Sequence, residues 1–470
     1  MTTNMLAFII ILSALFFGAV EIWSSTIILF AVFSLGLFWV LRRGYAFHGA
    51  ARSEKLLILI GLVFLMYVFA QAVPLPAPLL KLLSPGAFRM HHYYSLDNQR
   101  LASISLYPHR TIMGFLNILA FFMVFVLSLY RSKDTDDLTR MISVLVVFGF
   151  SLSMFGIVQK ATWNDKIYWY RELTLGGAPF GPFVNRNHFA GFIGMIIPLG
   201  LGLTFAGGSR EKKILFGFLT VIMSVALFFS LSRGGIVSFL AGVALFSLFM
   251  IKSRIQAKRV WIIGSFLIIL LCYLLYLGIS PVIERFYTTD ISGEQRLIVW
   301  TTAFKAFKDF WLTGSGIGTF TNIFPLYSPG EIRNVYDHAH NDYLEFILEA
   351  GSIGVALLAV FILLLIHSVT KSGLEGRAAI FKAAAVSSAF SMAVHSIFDF
   401  NLHILSNALL FAFVLGVVAA RPQVTGAMKK DRRMYSESAG KRPAPESMMS
   451  ALAVEDTRDE REVEEWEREL

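Results

Sequence analysis

TIMGFLNILAFFMVFVLSLY, Thr111–Tyr130, runs for 20 residues without a single Lys, Arg, Asp or Glu. As a helix it would rise about 30 Å, the thickness of bilayer hydrocarbon. Runs of this kind recur along the chain, which is 56% hydrophobic and only 16% charged, with 44 Phe among 470 residues. A soluble domain carries about 25% charge. No polar block ahead of Thr425 is long enough for a separate soluble domain. The reading is one all-α polytopic membrane domain over residues 1–420 and a charged tail over 421–470.

Apolar stretches predict twelve spans, at about 5–22, 24–41, 56–73, 111–130, 141–159, 188–206, 214–231, 236–251, 260–280, 351–370, 378–397 and 404–420. The first, Met5–Val20, has no basic leader or small-residue cleavage site, so it reads as a retained span. The only cysteine, Cys272, lies in an apolar run, which rules out an intramolecular disulfide and suggests inert packing. The short connectors after even-numbered spans hold 16 Lys/Arg in 46 residues, against about 14 in roughly 135 on the other side. That contrast puts the short loops and both termini in the cytoplasm. The net charge of +9 follows from this topology. No basic patch interleaved with aromatics points to nucleic acid. The tail begins basic, suited to anionic headgroups, and ends acidic, as a solvated segment.

Three outer connectors are long: Pro74–Arg110, Lys160–Asn187 and Pro281–Ala350. Chemistry-capable residues concentrate there and at the outer span ends, while the midplane is poor in charge. A transporter would show the reverse. In the last loop Trp300, Phe304, Phe307 and Trp311 form an amphipathic helical stripe, and Arg296 shares a face with Trp300, Ala303 and Phe307, so its guanidinium should point inward and need an anionic partner. GSGIGTF, Gly314–Phe320, has the glycines of a phosphate-cradling loop but no βαβ surroundings, so it reads as a tight turn. DHAHNDYLEFILEAGSIG, Asp337–Gly354, predicts a helix capped near Asp337 with His340 in its first turn. Asp342, Glu345 and Glu349 would lie on the far face, and Gly351 and Gly354 would let the helix pack closely. A neutral imidazole at a helix N-terminus could accept a proton. His338 and His340 with Asp337 and Asp342 offer metal ligands, but residues two apart diverge on a helix. GPFVNRNHFAG, Gly181–Gly191, brings Asn185, Arg186, Asn187 and His188 to the sixth span's mouth, and SRGG puts Arg233 in the next outer turn. His395, Asp399, Asn401 and His403 form a further cluster, read as structural hydrogen bonding. Asp134-Thr135-Asp136 reads as a solvated surface turn.

His340-Asn341, nine residues, then Gly351-Ser352-Ile353-Gly354 resembles the signature of the bacterial O-antigen ligase and O-antigen polymerase superfamily. FVNRNHFAG, SRGG, Arg296–Trp300 and GSGIGTF resemble it too, together covering about residues 180–360. Trp300 stands where that family has leucine. The resemblance implies a GT-C-like helical fold with a large periplasmic loop, here about 281–350. It also implies transfer of a glycan from an undecaprenyl-pyrophosphate carrier at the periplasmic face of the inner membrane, with no metal or other cofactor. His340 would serve as base. Arg233, Arg296 and Arg186 would bind pyrophosphate, and Asn185, Asn187 and Asn341 would join in binding substrate. A ligase would deliver to lipid A–core, a polymerase to another lipid-linked glycan, a protein O-oligosaccharyltransferase to serine. A lipid-linked glycan flippase or exporter without catalysis is the alternative from another class.

Overall fold

The computed structural model describes residues 2–43, 51–94, 101–173, 177–252, 291–328, 336–371 and 374–421. The span expected at 260–280, Cys272 and the charged tail lie outside them. Among the described residues there are fifteen α-helices. Nine of these are long and apolar enough to cross a membrane, which makes the chain a polytopic membrane protein. Two more of the expected spans are shorter apolar helices, Asn4–Leu15 and Leu405–Ala419. The first is cut short at Phe16–Ala19, where Phe17, Gly18 and Ala19 all take positive φ and turn the chain into the helix Ile22–Arg43.

Helix Arg186–Phe205 is the centre of the bundle and is almost wholly buried. Its glycines let neighbours approach: a Cβ at Gly202 would stand 2.8 Å from Ala384 Cβ, and one at Gly200 2.4 Å from Thr220 Oγ1. In lipid, where apolar surface gains little by leaving one apolar medium for another, such close packing is what associates helices. Asp342–Thr370, by contrast, is mostly open to the surroundings along its apolar window, as a lipid-facing helix should be.

Two of the long connectors fold into a second apolar core of their own. Leu80 and Ala87 from one connector meet Val299, Ala303, Ala306, Phe310, Phe320 and Phe324 from another. Arg89 bridges Asp309 at 2.7 Å, and Tyr327 donates to the same carboxylate at 2.7 Å. The helix Ile291–Asp309 therefore packs Val299, Ala303 and Ala306 inward, with Arg296, Trp300 and Phe307 half-buried. Phe304 and Trp311, grouped with Trp300 and Phe307 by spacing, instead lie on the exposed side.

The expected helix over Asp337–Gly354 starts later and is broken. It begins at Asp342, because the Asn341 side chain accepts from the amides of Tyr343 and Leu344 and so closes the first turn. His340 thus stands outside the helix, at φ +50°, a left-handed conformation that costs a non-glycine residue about 1–3 kcal/mol. The break is at Gly351, with φ +62° and ψ −172°. The backbones of Ser352 and Ile353 then bond to Trp311 and Leu312, while Ser315 and Gly316 bond back to Leu348 and Glu349. Gly351 therefore packs against the glycine turn and not against another helix. Any Cβ there would lie 2.3 Å from Gly314 N and 2.6 Å from Leu312 O. Neither backbone atom can rotate away, so Gly351→Ala should destabilise the protein by about 2–4 kcal/mol. Thermal unfolding in detergent would show this, and a melting temperature equal to wild type would mean the break is dispensable.

Candidate functional site

The turn Ser396–His403 between the last two described bundle helices is where the polar residues meet. His340 Nδ1 lies 3.0 Å from Asp399 Oδ1, whose side chain is 1% exposed against 30% for the imidazole. A carboxylate at Nδ1 selects the tautomer that donates there and leaves Nε2 with its lone pair. Two further bonds fix the segment around it. Trp300 Nε1 donates to Ala339 O at 2.9 Å, and Asp342 N donates to Ser396 O at 2.9 Å. His340 is therefore positioned by a partner on another helix connection, not by the helix N-terminus expected from sequence.

Arg296 reaches the same turn, Nη1 donating to Phe398 O at 3.3 Å. Gly234, next to Arg233, packs there as well: a Cβ on it would stand 3.0 Å from Phe398 Cβ and 3.3 Å from His395. Ser232 Oγ donates to Asn187 Oδ1 at 2.8 Å, tying SRGG to FVNRNHFAG. The three predicted substrate-binding arginines, Arg186, Arg233 and Arg296, are all half-buried around this region. Two predicted asparagines have local roles in addition. Asn185 and Asn341 spend their side-chain oxygens on N-caps, which leaves their amide NH2 groups for other partners.

Sequence reasoning assigned Asp399 and His403 to a structural cluster, and both prove central to the geometry. His403 Nδ1 is 2.9 Å from Asp342 Oδ1, and Nε2 is 3.2 Å from Glu345 Oε1. With a carboxylate at each nitrogen the ring must donate twice, so it is an imidazolium. Burial opposes the charge, but Glu345, Asp342 and Glu349 push its pKa up to about 10. Asp399 is the converse. Burial favours its neutral form, but the hydrogen bond from His340 and the imidazoles of His188, His340 and His395 hold it well below the usual carboxylate range. The signal that could have found these two was SIFDFNLH, Ser396–His403, a dense polar run between two apolar helices. Phe400 sits among the imidazoles, its ring 4.2 Å from His338, 4.9 Å from His340 and 4.9 Å from His188.

Glu345 accepts from His338 Nδ1 at 2.8 Å and Ala339 N at 2.9 Å, and Glu349 accepts from the amides of Gly318 and Phe320, both at 2.8 Å. The glycine turn therefore cradles a carboxyl group supplied by the chain itself. His338, Glu345 and His403 are, among the described residues, the one group whose ligand atoms could surround a metal, all within 4.8 Å. This set differs from the one the sequence suggested, with neither Asp337 nor His340 in it. The atoms that would bind a cation are already hydrogen-bonded to one another, and a metal would have to displace the protons of His403.

The family described as O-Antigen ligase matches residues 218–359, under a third of the chain. The match takes in Arg233, Arg296, His340 and Gly351 and stops short of Asp399 and His403. The chain thus carries an O-antigen ligase domain, that of a glycosyltransferase using a lipid-linked glycan donor. None of the curated proteins compared with the chain matches it.

The imidazolium of His403 makes a pH prediction. Its pKa is raised from 6.5, so its contribution to stability is complete below pH 6.5 and is lost as pH rises through about 10. Melting temperature should therefore decline across that window. His403→Gln should flatten the decline and destabilise the protein by about 1–3 kcal/mol, less than for a fully buried pair because solvent reaches the ring and screens it. An unchanged slope in the variant would assign the effect elsewhere.

Proposed function

We propose that this protein transfers a glycan from an undecaprenyl-pyrophosphate carrier to an acceptor hydroxyl, lipid A–core in preference to another lipid-linked glycan. The observation that carries this reading is the His340–Asp399 pair with Arg296 bonded to the same turn and Gly234, the neighbour of Arg233, packed on it. His340 Nε2 takes the proton of the acceptor hydroxyl as its oxygen bonds to the anomeric carbon. The bond from that carbon to the pyrophosphate oxygen breaks, and the leaving group carries off the electron pair. Asp399 stabilises the imidazolium that forms. Arg233, Arg296 and Arg186 neutralise the growing charge on pyrophosphate through charge-assisted hydrogen bonds, the role a metal would otherwise fill. The amides of Asn185, Asn187 and Asn341 offer hydrogen bonds to sugar hydroxyls. A bond formed as another breaks on the opposite side would invert the sugar carbon.

The reaction belongs at the periplasmic face of a bacterial inner membrane, with both termini cytoplasmic. Two observations support this. The site gathers at the end of the bundle that carries the long connectors, and Arg131, Lys133 and Arg377 of the basic short connectors lie at the other end. A non-catalytic flippase or exporter would have no use for an oriented imidazole beside arginines.

Reconstitution with a lipid-pyrophosphate glycan and either lipid A–core or a second lipid-linked glycan tests the reading and separates ligase from polymerase. His340→Ala and Asp399→Asn should each lower transfer about 10²–10⁴-fold, and Arg233→Ala should abolish it, with all three proteins still inserting. EDTA should leave the rate unchanged. Full activity in His340→Ala would remove the base, and loss of activity in EDTA would return a metal to the site.

A further inference from the structure

The end of the bundle opposite His340 holds a second charged cluster. Helices Arg52–Ala72 and Gly376–His395 run between the two ends. Gln71 contacts Glu349 O and His395 borders the site, while Glu54 and Lys382 lie about 20–25 Å away along the same helices. Glu54 is fully buried. It accepts from Lys133 Nζ at 2.7 Å, Ala51 N at 2.9 Å and Arg421 N at 3.0 Å. Its acceptor capacity is therefore largely spent. Lys382, only 6% exposed, interacts electrostatically with Arg421, which repels it, and with Glu54, which attracts it. Neither Lys382 Nζ nor Arg421 Nε, both buried, has a hydrogen-bond partner among the described residues. The hydroxyls of Ser53 and Ser132, which precede Glu54 and Lys133, are buried without partners too.

Lys133 thus pairs with Glu54, while Lys382 and Arg421 lie near enough to repel each other and have buried donors with no acceptor among the described residues. A buried ammonium without an acceptor is among the costliest arrangements a protein can hold. An oxyanion would satisfy an ammonium and a guanidinium donor together. We propose that Lys382 and Arg421 form a binding site for a phosphate group at the end of the bundle away from the transfer site. Phosphate fits better than a planar carboxylate because its oxygens are tetrahedral and because the basic residues Arg131, Lys133 and Arg377 at this end suit a layer of lipid phosphates. The group comes either from an anionic phospholipid or from phosphate in solution. Neither residue takes part in the proposed transfer reaction.

The test uses the full chain, delipidated in a non-ionic detergent, with two probes: inorganic phosphate, and mixed micelles containing phosphatidylglycerol. Melting temperature and native mass spectrometry read binding. The wild type should bind and be stabilised by at least one probe, and Lys382→Met and Arg421→Gln should each bind it roughly tenfold more weakly or worse. Stabilisation by inorganic phosphate alone assigns a solution ligand, and retention of phosphatidylglycerol without competition from phosphate assigns a headgroup. Lys382→Met should also raise the melting temperature in probe-free detergent, since it removes an unpaired buried charge, while abolishing the rise with probe. A lysine with a merely structural role would lower the first and keep the second. That result, equal binding by wild type and both variants, or no binding of either probe would overturn the proposal.

Discussion

A carboxylate taken out of water must find donors, and four of them are buried at one end of this bundle. Asp342, Glu345, Glu349 and Asp399 are each at most 5% exposed. Their needs organise the site. Asp342 and Glu345 are met by the two nitrogens of His403, Glu349 by the amides of the glycine turn, and Asp399 by His340. Each of these bonds joins segments distant in sequence, so satisfying the charges locks the outer loops onto the helices. Removing one donor would strand a charge in low dielectric, which is why such networks tend to be complete.

The same network explains the strained backbone of His340. A residue at φ +50° persists only where its surroundings over-determine it. Here Trp300 holds Ala339 on one side, Asn341 closes the helix on the other, and Asp399 holds the ring itself. The imidazole is thereby fixed by its Nδ1, the preorganisation that the proposed proton acceptor needs. The glycine turn contributes by a different route. Gly314 and Gly351 allow two backbones to touch, so the turn binds Glu349 and braces the broken helix, and no external anion is required at that place.

Much of the fold was legible because lipid imposes a simple rule: a spanning segment must be helical, long and apolar. Thr111–Tyr130 obeys it without exception, and its helix spans Pro108–Arg131. The errors came where the rule does not reach. Hydropathy does not register the positive-φ turn at Phe17–Ala19 or the break at Gly351, because neither changes how apolar the segment is. The spacing of Trp300, Phe304, Phe307 and Trp311 suggested one stripe, but the helix exposes Phe304 and ends at Asp309, leaving Trp311 exposed in the turn beyond.

The candidate site divides in the same way. Histidine, arginines and glycines at fixed spacing were enough to single out His340, Arg233, Arg296 and Gly351, since the residue types chemistry requires are rare in so apolar a chain. Their partners were not readable. Asp399 lies 59 residues from His340 and His403 lies 61 from Asp342, and nothing in a linear pattern links a carboxylate to an imidazole across two helices. Local pattern determined which segments are helical and which residues are candidates for chemistry. The packing of those helices alone decided which charges would meet, because burial sets the need for a partner and only three-dimensional proximity supplies one.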